Sequence, residues 1–242
     1  MKKWMLFCSA LGCLAACHTP RGTEEKELRV YHTVTPPQID GNASDSCWSG
    51  ATIFPIDQLW AGKLPHASDF MGRYRMCWDS GHLYLLAEIY DDSLVTFSPA
   101  DASRYWDRDG LDLFIMADTS LSSGISSARS HHITFDSQYP TMPALMGESE
   151  KVKIAVGHKG HLSTWEIAVI VQPFSGQSAP PSSQLELAPD KLFGFSIAYN
   201  DTDKSKERES RMGNWPIEPG ISKTQGGSDP GVYQLLRLVA PN

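Results

Sequence analysis

The segment from Phe70 to Tyr90 constrains this chain more than any other. Phe70 to Trp78 and His82 to Tyr90 are two runs rich in aliphatic and aromatic residues, separated by Asp79-Ser80-Gly81. Two such runs around a turn triplet predict a β-hairpin. Successive strand side chains point to opposite faces. In the second arm Leu83, Leu85, Ala87 and Ile89 therefore share one face, and Tyr84, Leu86, Glu88 and Tyr90 the other. Neither face is strongly polar, so this strand is expected at the centre of a sheet with both sides covered.

The same pattern recurs along the chain, and no long helical periodicity interrupts it. Strands are expected at Leu111 to Met116, His131 to Asp136, Leu192 to Asn200 and Val232 to Val239. A second hairpin is expected from Lys151 to Val156 and His161 to Val171, turning at Gly157-His158-Lys159-Gly160. Asp45-Ser46-Cys47-Trp48 resembles one helical turn. Ser120 to Ser130 and Gly176 to Pro189 read as loops, the first Ser- and Gly-rich and mobile. The charge run Asp201 to Arg211 reads as a solvated or ligand-facing loop. Many short strands with turn residues between them predict an all-β fold, an antiparallel β-sandwich of the jelly-roll or immunoglobulin-like kind. There is no internal repeat and no sign of a second domain.

The first residues read as a lipoprotein signal. Lys2 and Lys3 precede the apolar run Trp4 to Leu14, which is too short for a permanent membrane span. Leu14-Ala15-Ala16-Cys17 follows, with small residues for a peptidase cleft and a Cys17 thiol to receive lipid. The expected division is a signal peptide over 1–16, a lipidated cysteine and flexible tether over 17–34, and the sandwich over 35–242. The expected place is the bacterial cell envelope, with membrane contact through the lipid alone. Removing the first 16 of 242 residues takes away Lys2 and Lys3 and moves the formal charge from −7 to −9. That balance, with no basic stripe, argues against a nucleic-acid partner. In an oxidising compartment Cys47 and Cys77 are either a disulfide or two small buried residues.

The order of motifs resembles the family 9 carbohydrate-binding modules, β-sandwiches associated with xylanases. The resemblance rests on Ile39-Asp40-Gly41 with Cys47-Trp48 and Ala51, on Cys77-Trp78-Asp79 with Leu83-Tyr84-Leu85, and on Trp106-Asp107-Arg108-Asp109-Gly110-Leu111-Asp112-Leu113-Phe114-Ile115. It continues through Trp165-Glu166-Ile167-Ala168, Gly194-Phe195 to Tyr199-Asn200-Asp201, and Asp229-Pro230 with Tyr233 and Leu236-Arg237-Leu238. It spans residues 35 to 240. It implies binding of sugar at the end of a chain, between two tryptophans, with polar side chains gripping the hydroxyls. Trp106 falls on one of those tryptophans, Asp112 on a gripping carboxylate and His132 near a gripping arginine. Arg208 or Arg211 falls on a second arginine, and Trp215 on a late tryptophan. The resemblance also implies structural calcium, with Asp91, Asp92, Asp107 and Asp109 as carboxylate ligands. The chain departs from the pattern at Gly227, where the second tryptophan of the clamp belongs. Such a module would serve polysaccharide breakdown beside glycan-degrading enzymes. A glycoside hydrolase or its accessory domain, and an assembly lipoprotein that has lost the sugar site, are the alternatives.

The chemistry of the residues points the same way. Sugar rings offer flat C–H faces to aromatic rings, and their hydroxyls need paired donors and acceptors. Ser103-Arg104-Tyr105-Trp106-Asp107-Arg108-Asp109 supplies both kinds of group just before a strand. Trp106 is either a stacking platform or a core residue. Asp112, on an apolar ladder, is either a ligand contact or a structural hydrogen-bond acceptor, because a buried carboxylate needs partners. Glu166 poses the same question and is expected to be structural. His131 and His132 point to opposite faces, and no HExxH or paired-cysteine motif supports zinc. Gly194 to Ala198 fails the nucleophile-elbow pattern. Asp112 and Glu166 are the one carboxylate pair that a glycosidase reading would use.

Overall fold

The computed structural model describes residues 27–96, 106–117, 128–135, 143–146, 151–172, 184–203, 207–217 and 233–240. The signal segment, Cys17, Gly227 and Asp229-Pro230 lie outside them. The first strands are β1 (Glu27–His32), β2 (Phe54–Ile56), β3 (Gln58–Gly62), β4 (Phe70–Trp78) and β5 (Leu83–Asp91). There follow β6 (Gly110–Met116), β7 (Ala128–Phe135), β8 (Pro143–Met146), β9 (Val152–Lys159) and β10 (Leu162–Val169). The last are β11 (Leu192–Asp201), β12 (Ser210–Gly213) and β13 (Gln234–Val239), and one short helix, α1, spans Ser46–Ser49. The hydrogen-bonded path runs β8-β7-β6-β11-β13-β1-β4-β5-β10-β9, with β12 and β3 continuing from β11, and β2 pairing β4. Pairing is antiparallel except where β1 runs parallel to both β13 and β4.

The path folds over one core, as a sandwich does. Leu83, Leu85, Ala87 and Ile89 of β5 and Trp165, Ile167 and Val169 of β10 are buried in the same cluster as Leu111, Leu113 and Ile115 of β6 and Phe193, Phe195, Ile197 and Tyr199 of β11. The expected central strand is central: β5 lies between β4 and β10, and Tyr84 and Leu86 of its second face are buried too. That face meets the segment carrying Ile39, Trp48 and Cys47, which forms a smaller cluster with Cys77, Tyr84, Leu86 and Ala168.

Glu166 holds this cover in place. Its Oε2 accepts the backbone N–H groups of Asp40 (3.0 Å), Gly41 (2.9 Å) and Asn42 (3.3 Å). Its Oε1 accepts the Trp48 indole N–H at 2.8 Å. The structural role expected of Glu166 is the one it has. Gly41 adopts φ +83°, and a Cβ there would lie 2.6 Å from the Gly157 backbone nitrogen. A Cβ on Gly157 would in turn lie 2.3 Å from the Gly41 oxygen.

Four expectations need correction. Residues 27–32, placed by sequence in the tether, form β1 in the middle of the sheet, where Leu28 and Val30 are buried. Gly157 does not turn the second hairpin. It sits within β9, where the absence of a side chain lets the Gly41 backbone approach, and the turn is made by Gly160, at φ +63°, and His161. Residues 128–130, expected in a loop, begin β7, while 118–127 lie outside the described residues. The charge run 201–211 is not a solvated loop throughout, since Asp201, Thr202, Ser210 and Arg211 are buried and β12 starts at Ser210.

Replacing Glu166 with Ala strands four donors, and leaving buried donors unpaired costs about 1–3 kcal/mol for each group fully denied a partner. The expected loss is roughly 3–5 kcal/mol in a denaturant titration, with Glu166→Gln, which keeps an acceptor oxygen, losing less.

Candidate functional site

On the outer face of β6 and β11, small and polar residues replace the aromatic pattern of the inner face. Antiparallel pairing sets Asp112 opposite Ala198 and Phe114 opposite Ser196, with Gly110 opposite Asn200. Asp112 Oδ2 accepts from Asn200 Nδ2 at 3.0 Å and from Arg211 Nη2 at 2.6 Å. Arg208 Nη1 donates to Asn200 Oδ1 at 2.7 Å. The four side chains form one network in which Arg211 and Asp112 are nearly covered and Arg208 is half-buried. Burial, and then the neighbouring Arg211 charge, pull the Arg208 guanidinium below its ordinary pKa.

Aromatic rings frame the network. The Arg211 guanidinium lies 5.3 Å from the Trp60 ring centroid and 5.6 Å from that of Phe114, within cation–π range. Trp60 is fully buried, and its indole N–H donates to the Trp215 carbonyl at 2.7 Å. Gly213 of β12 makes room for it, because a Cβ there would fall 2.0 Å from the Trp60 ring. Trp106 is 45% exposed and immediately precedes Asp107, whose carboxylate faces the Arg208 backbone N–H at 3.4 Å.

The expected sugar-contacting residues thus divide. Asp112 and Arg208 belong to one network, and β7 sets His132 opposite Asp112 in register. Trp106 is on the surface beside it, as a platform would be and a core residue would not. Trp215 joins through its carbonyl and otherwise lines a separate cleft with Phe54, Tyr74 and Asn214. Asn200, Arg211 and Trp60 complete the network. Arg211 was weighed against Arg208 in sequence, whereas Trp60 carried no motif and Asn200 read only as part of a strand. Asp112 serves Asn200 and Arg211, while Glu166 serves Trp48 and the 40–42 backbone, so the two carboxylates of the glycosidase reading lie in separate networks.

At the end of the same strands three buried aspartates converge. One carboxylate oxygen each from Asp91, Asp109 and Asp201 lies within 4.8 Å of the others. Tyr199 Oη donates to Asp91 at 2.6 Å, Thr202 N to Asp109 at 2.7 Å and Ser210 Oγ to Asp201 at 2.9 Å. The Val95 N–H also reaches Asp109. Burial pushes Asp91 up to about 6 and Asp201 up to about 7, and burial with the Asp91 charge pushes Asp109 well above the carboxylate range. Asp92 stands in a neighbouring group with Asp69 and Asp203. Of the four expected ligands, Asp91 and Asp109 therefore share a site, Asp92 lies in the group beside it, and Asp107 belongs to neither group. Asp201 was read as part of a loop. Buried, oxygen-only and mutually repelling, the Asp91, Asp109 and Asp201 set fits a hard divalent cation.

The fold is that of a β-sandwich module of the carbohydrate-binding class. Over residues 39–235 the sequence matches the family described as carbohydrate family 9 binding domain-like, and the chain belongs to that family. It is similar in fold to a carbohydrate-binding module of family 9 from Caldicellulosiruptor kristjanssonii. The complex of that module with cellotriose gives a TM-score of 0.65 at 16% identity, over 89% of this chain and 95% of that one. Its complex with glucose gives 0.65 at 16%, over 88% and 97%. A Bacteroides uniformis protein shares the fold with a TM-score of 0.55 at 15% identity, over 88% and 99%. No curated protein matches the sequence.

A carboxyl whose pKa is higher in the native than in the unfolded state binds its proton more tightly when folded, so the native state loses stability as pH rises through the interval between them. With divalent cations chelated, the melting temperature is expected to fall as pH rises from about 4 through 7, the window set by Asp91 and Asp201. Asp201→Asn should flatten that slope in a thermal melt.

Proposed function

We propose that this protein binds the end of a glycan chain at the outer face of β6 and β11, without cleaving it. The observation that carries the reading is the network of Asp112, Asn200, Arg208 and Arg211 beside the exposed Trp106. Arg208 is the member best placed to change partners, because it is half-buried and held by one Asn200 bond among those that orient its guanidinium. Asp112 and Arg211 fix the geometry, since each is largely covered by the other. Trp106 offers a ring face for a pyranose. Relatives in complex with cellotriose and glucose support a β-linked glucan end as the first ligand to try.

The reading extends to the setting. Cys17 carries a lipid that holds the module at the bacterial envelope, and the module keeps substrate near glycan-degrading enzymes. Among the described residues no helix is long and apolar enough to cross a membrane. Calcium sits at Asp91, Asp109 and Asp201, where it neutralises the buried carboxylates and ties the ends of β5, β6 and β11 together. One observation favours a second reading, an assembly lipoprotein without a sugar site: Asp112 and Arg211 are already paired with each other at 2.6 Å within the fold.

Calorimetric titration with cellotriose and glucose separates the two readings. Saturable binding is expected, weakened roughly tenfold by Arg208→Ala, about 1.4 kcal/mol, and at least as much by Trp106→Ala. A folded protein that binds neither these nor any other sugar in a panel would leave the assembly reading in place. For the cation, added calcium is expected to raise the melting temperature clearly at pH 7 and little below pH 5, where the cluster is protonated. Asp109→Asn should abolish that rise.

A further inference from the structure

Cys47 and Cys77 take no part in the network or in the acid cluster, yet the fold brings them together. Cys47 lies on α1, and Cys77 on the outer face of β4, opposite Tyr84 in register. Both belong to the apolar cluster under the 39–48 cover. Each thiol is the largest influence on the acidity of the other, with Cys47 lowered and Cys77 raised. Their surroundings differ: Cys77 is buried, whereas Cys47 is half-exposed. Both line a surface cleft of about 480 Å³ whose other walls include His32, Val34 and Ala51. The two backbones are held independently of the sulfurs. Trp48, next to Cys47, gives its indole N–H to Glu166 and its carbonyl to Arg75 Nη1 at 3.1 Å. β4 is paired along its length with β5. The thiols are therefore adjacent because the cover is seated, and joining them does not require the cover to open.

We propose that Cys47 and Cys77 form an intramolecular disulfide by exchange with a disulfide-bearing oxidant that enters through this cleft. The Cys47 thiolate attacks one sulfur of the oxidant's disulfide. A mixed disulfide forms on Cys47, and the first oxidant thiolate leaves with its electron pair. Cys77 then gives up its proton and attacks the Cys47 sulfur, and the second oxidant thiol leaves. Two protein thiols are oxidised to one disulfide while one oxidant disulfide is reduced to two thiols. The division of labour follows from access and from acidity. Contact with Cys77 lowers the Cys47 pKa, and the Cys77 pKa is raised by that same contact and by burial. The product staples the 39–48 cover to β4 and closes the chain between positions 47 and 77.

The full chain, native and reduced, is incubated with oxidised glutathione, acid-quenched, alkylated and mapped by mass after proteolysis without reductant. The expected map recovers the Cys47 and Cys77 peptides as one cross-linked species, two hydrogen masses lighter than their sum, and the link disappears on reduction. In Cys77→Ser, Cys47 is expected to stop at a glutathione adduct. In Cys47→Ser, Cys77 is expected to remain a thiol. The inference is overturned if the wild-type peptides come back separately alkylated under conditions that glutathionylate Cys47 in Cys77→Ser. It is equally overturned if Cys77 takes up glutathione as readily as Cys47. The wild-type map decides the cross-link even where a serine variant fails to fold.

Discussion

Four hydrogen bonds to a single buried carboxylate set the frame of this molecule. Glu166 stands on β10 with its oxygens turned away from the core, where an unpaired charge would be costly. The Asp40-Gly41-Asn42 backbone and the Trp48 indole meet that need. In meeting it they fix the course of the chain across the outside of β5 and β10. A sheet face that would otherwise expose Tyr84, Leu86 and Ala168 is closed, and the positions of α1, Cys47 and Cys77 follow. The glycine contact between residues 41 and 157 belongs to the same arrangement, because the carboxylate can draw the turn in only if no side chain stands between the backbones.

Strand β11 distributes the functional groups. Tyr199 faces the core and hands its hydroxyl to Asp91, Asn200 faces outward into the Arg208 network, and Asp201 ends the strand in the acid cluster. Three consecutive residues thus serve the core, the outer polar network and the acid cluster. The Thr202 amide donates to Asp109 and its hydroxyl to the Asp107 carbonyl, which holds the end of the strand against the chain just before β6. The Asp107 carboxylate in turn faces the Arg208 backbone N–H, so the acid cluster and the Asn200 network adjoin the same residue.

The parts legible in sequence were those with strong local pattern. β4, β5, β6, β10 and β11 stood out because alternation and apolar content survive in a single strand. Asp112 stood out as a carboxylate on an apolar ladder, and Trp106 as an aromatic amid charge. β1 did not, because its longest ladder is with β13, more than 200 residues away, and Leu-Arg-Val-Tyr after a charged run looks like the end of a tether. Gly157 was misread because a glycine near His, Lys and another Gly mimics a turn, while its real constraint comes from Gly41. Asp201 and Arg211 read as the two ends of a charged loop, solvated or facing a ligand, with Arg211 an alternative to Arg208. What distinguishes them is burial with opposite or metal-directed partners, which no local signal carries. Trp60, with its short strand and no motif, could be found only once Gly213 had placed it against Arg211.

The placement of β1 has a mechanical side. Its ladder to β13 is parallel over Glu27 to Tyr31, and the Trp78 indole bridges the two strands by donating to the Val30 and Val239 carbonyls. Tension entering at Glu27 and opposed through the end of β13 runs along the strands rather than across them. Every bond of the ladder is then strained at once, and no single pair at the edge bears the load first. A load applied between Glu27 and the end of β13 would therefore be met in shear, the direction in which paired strands resist most.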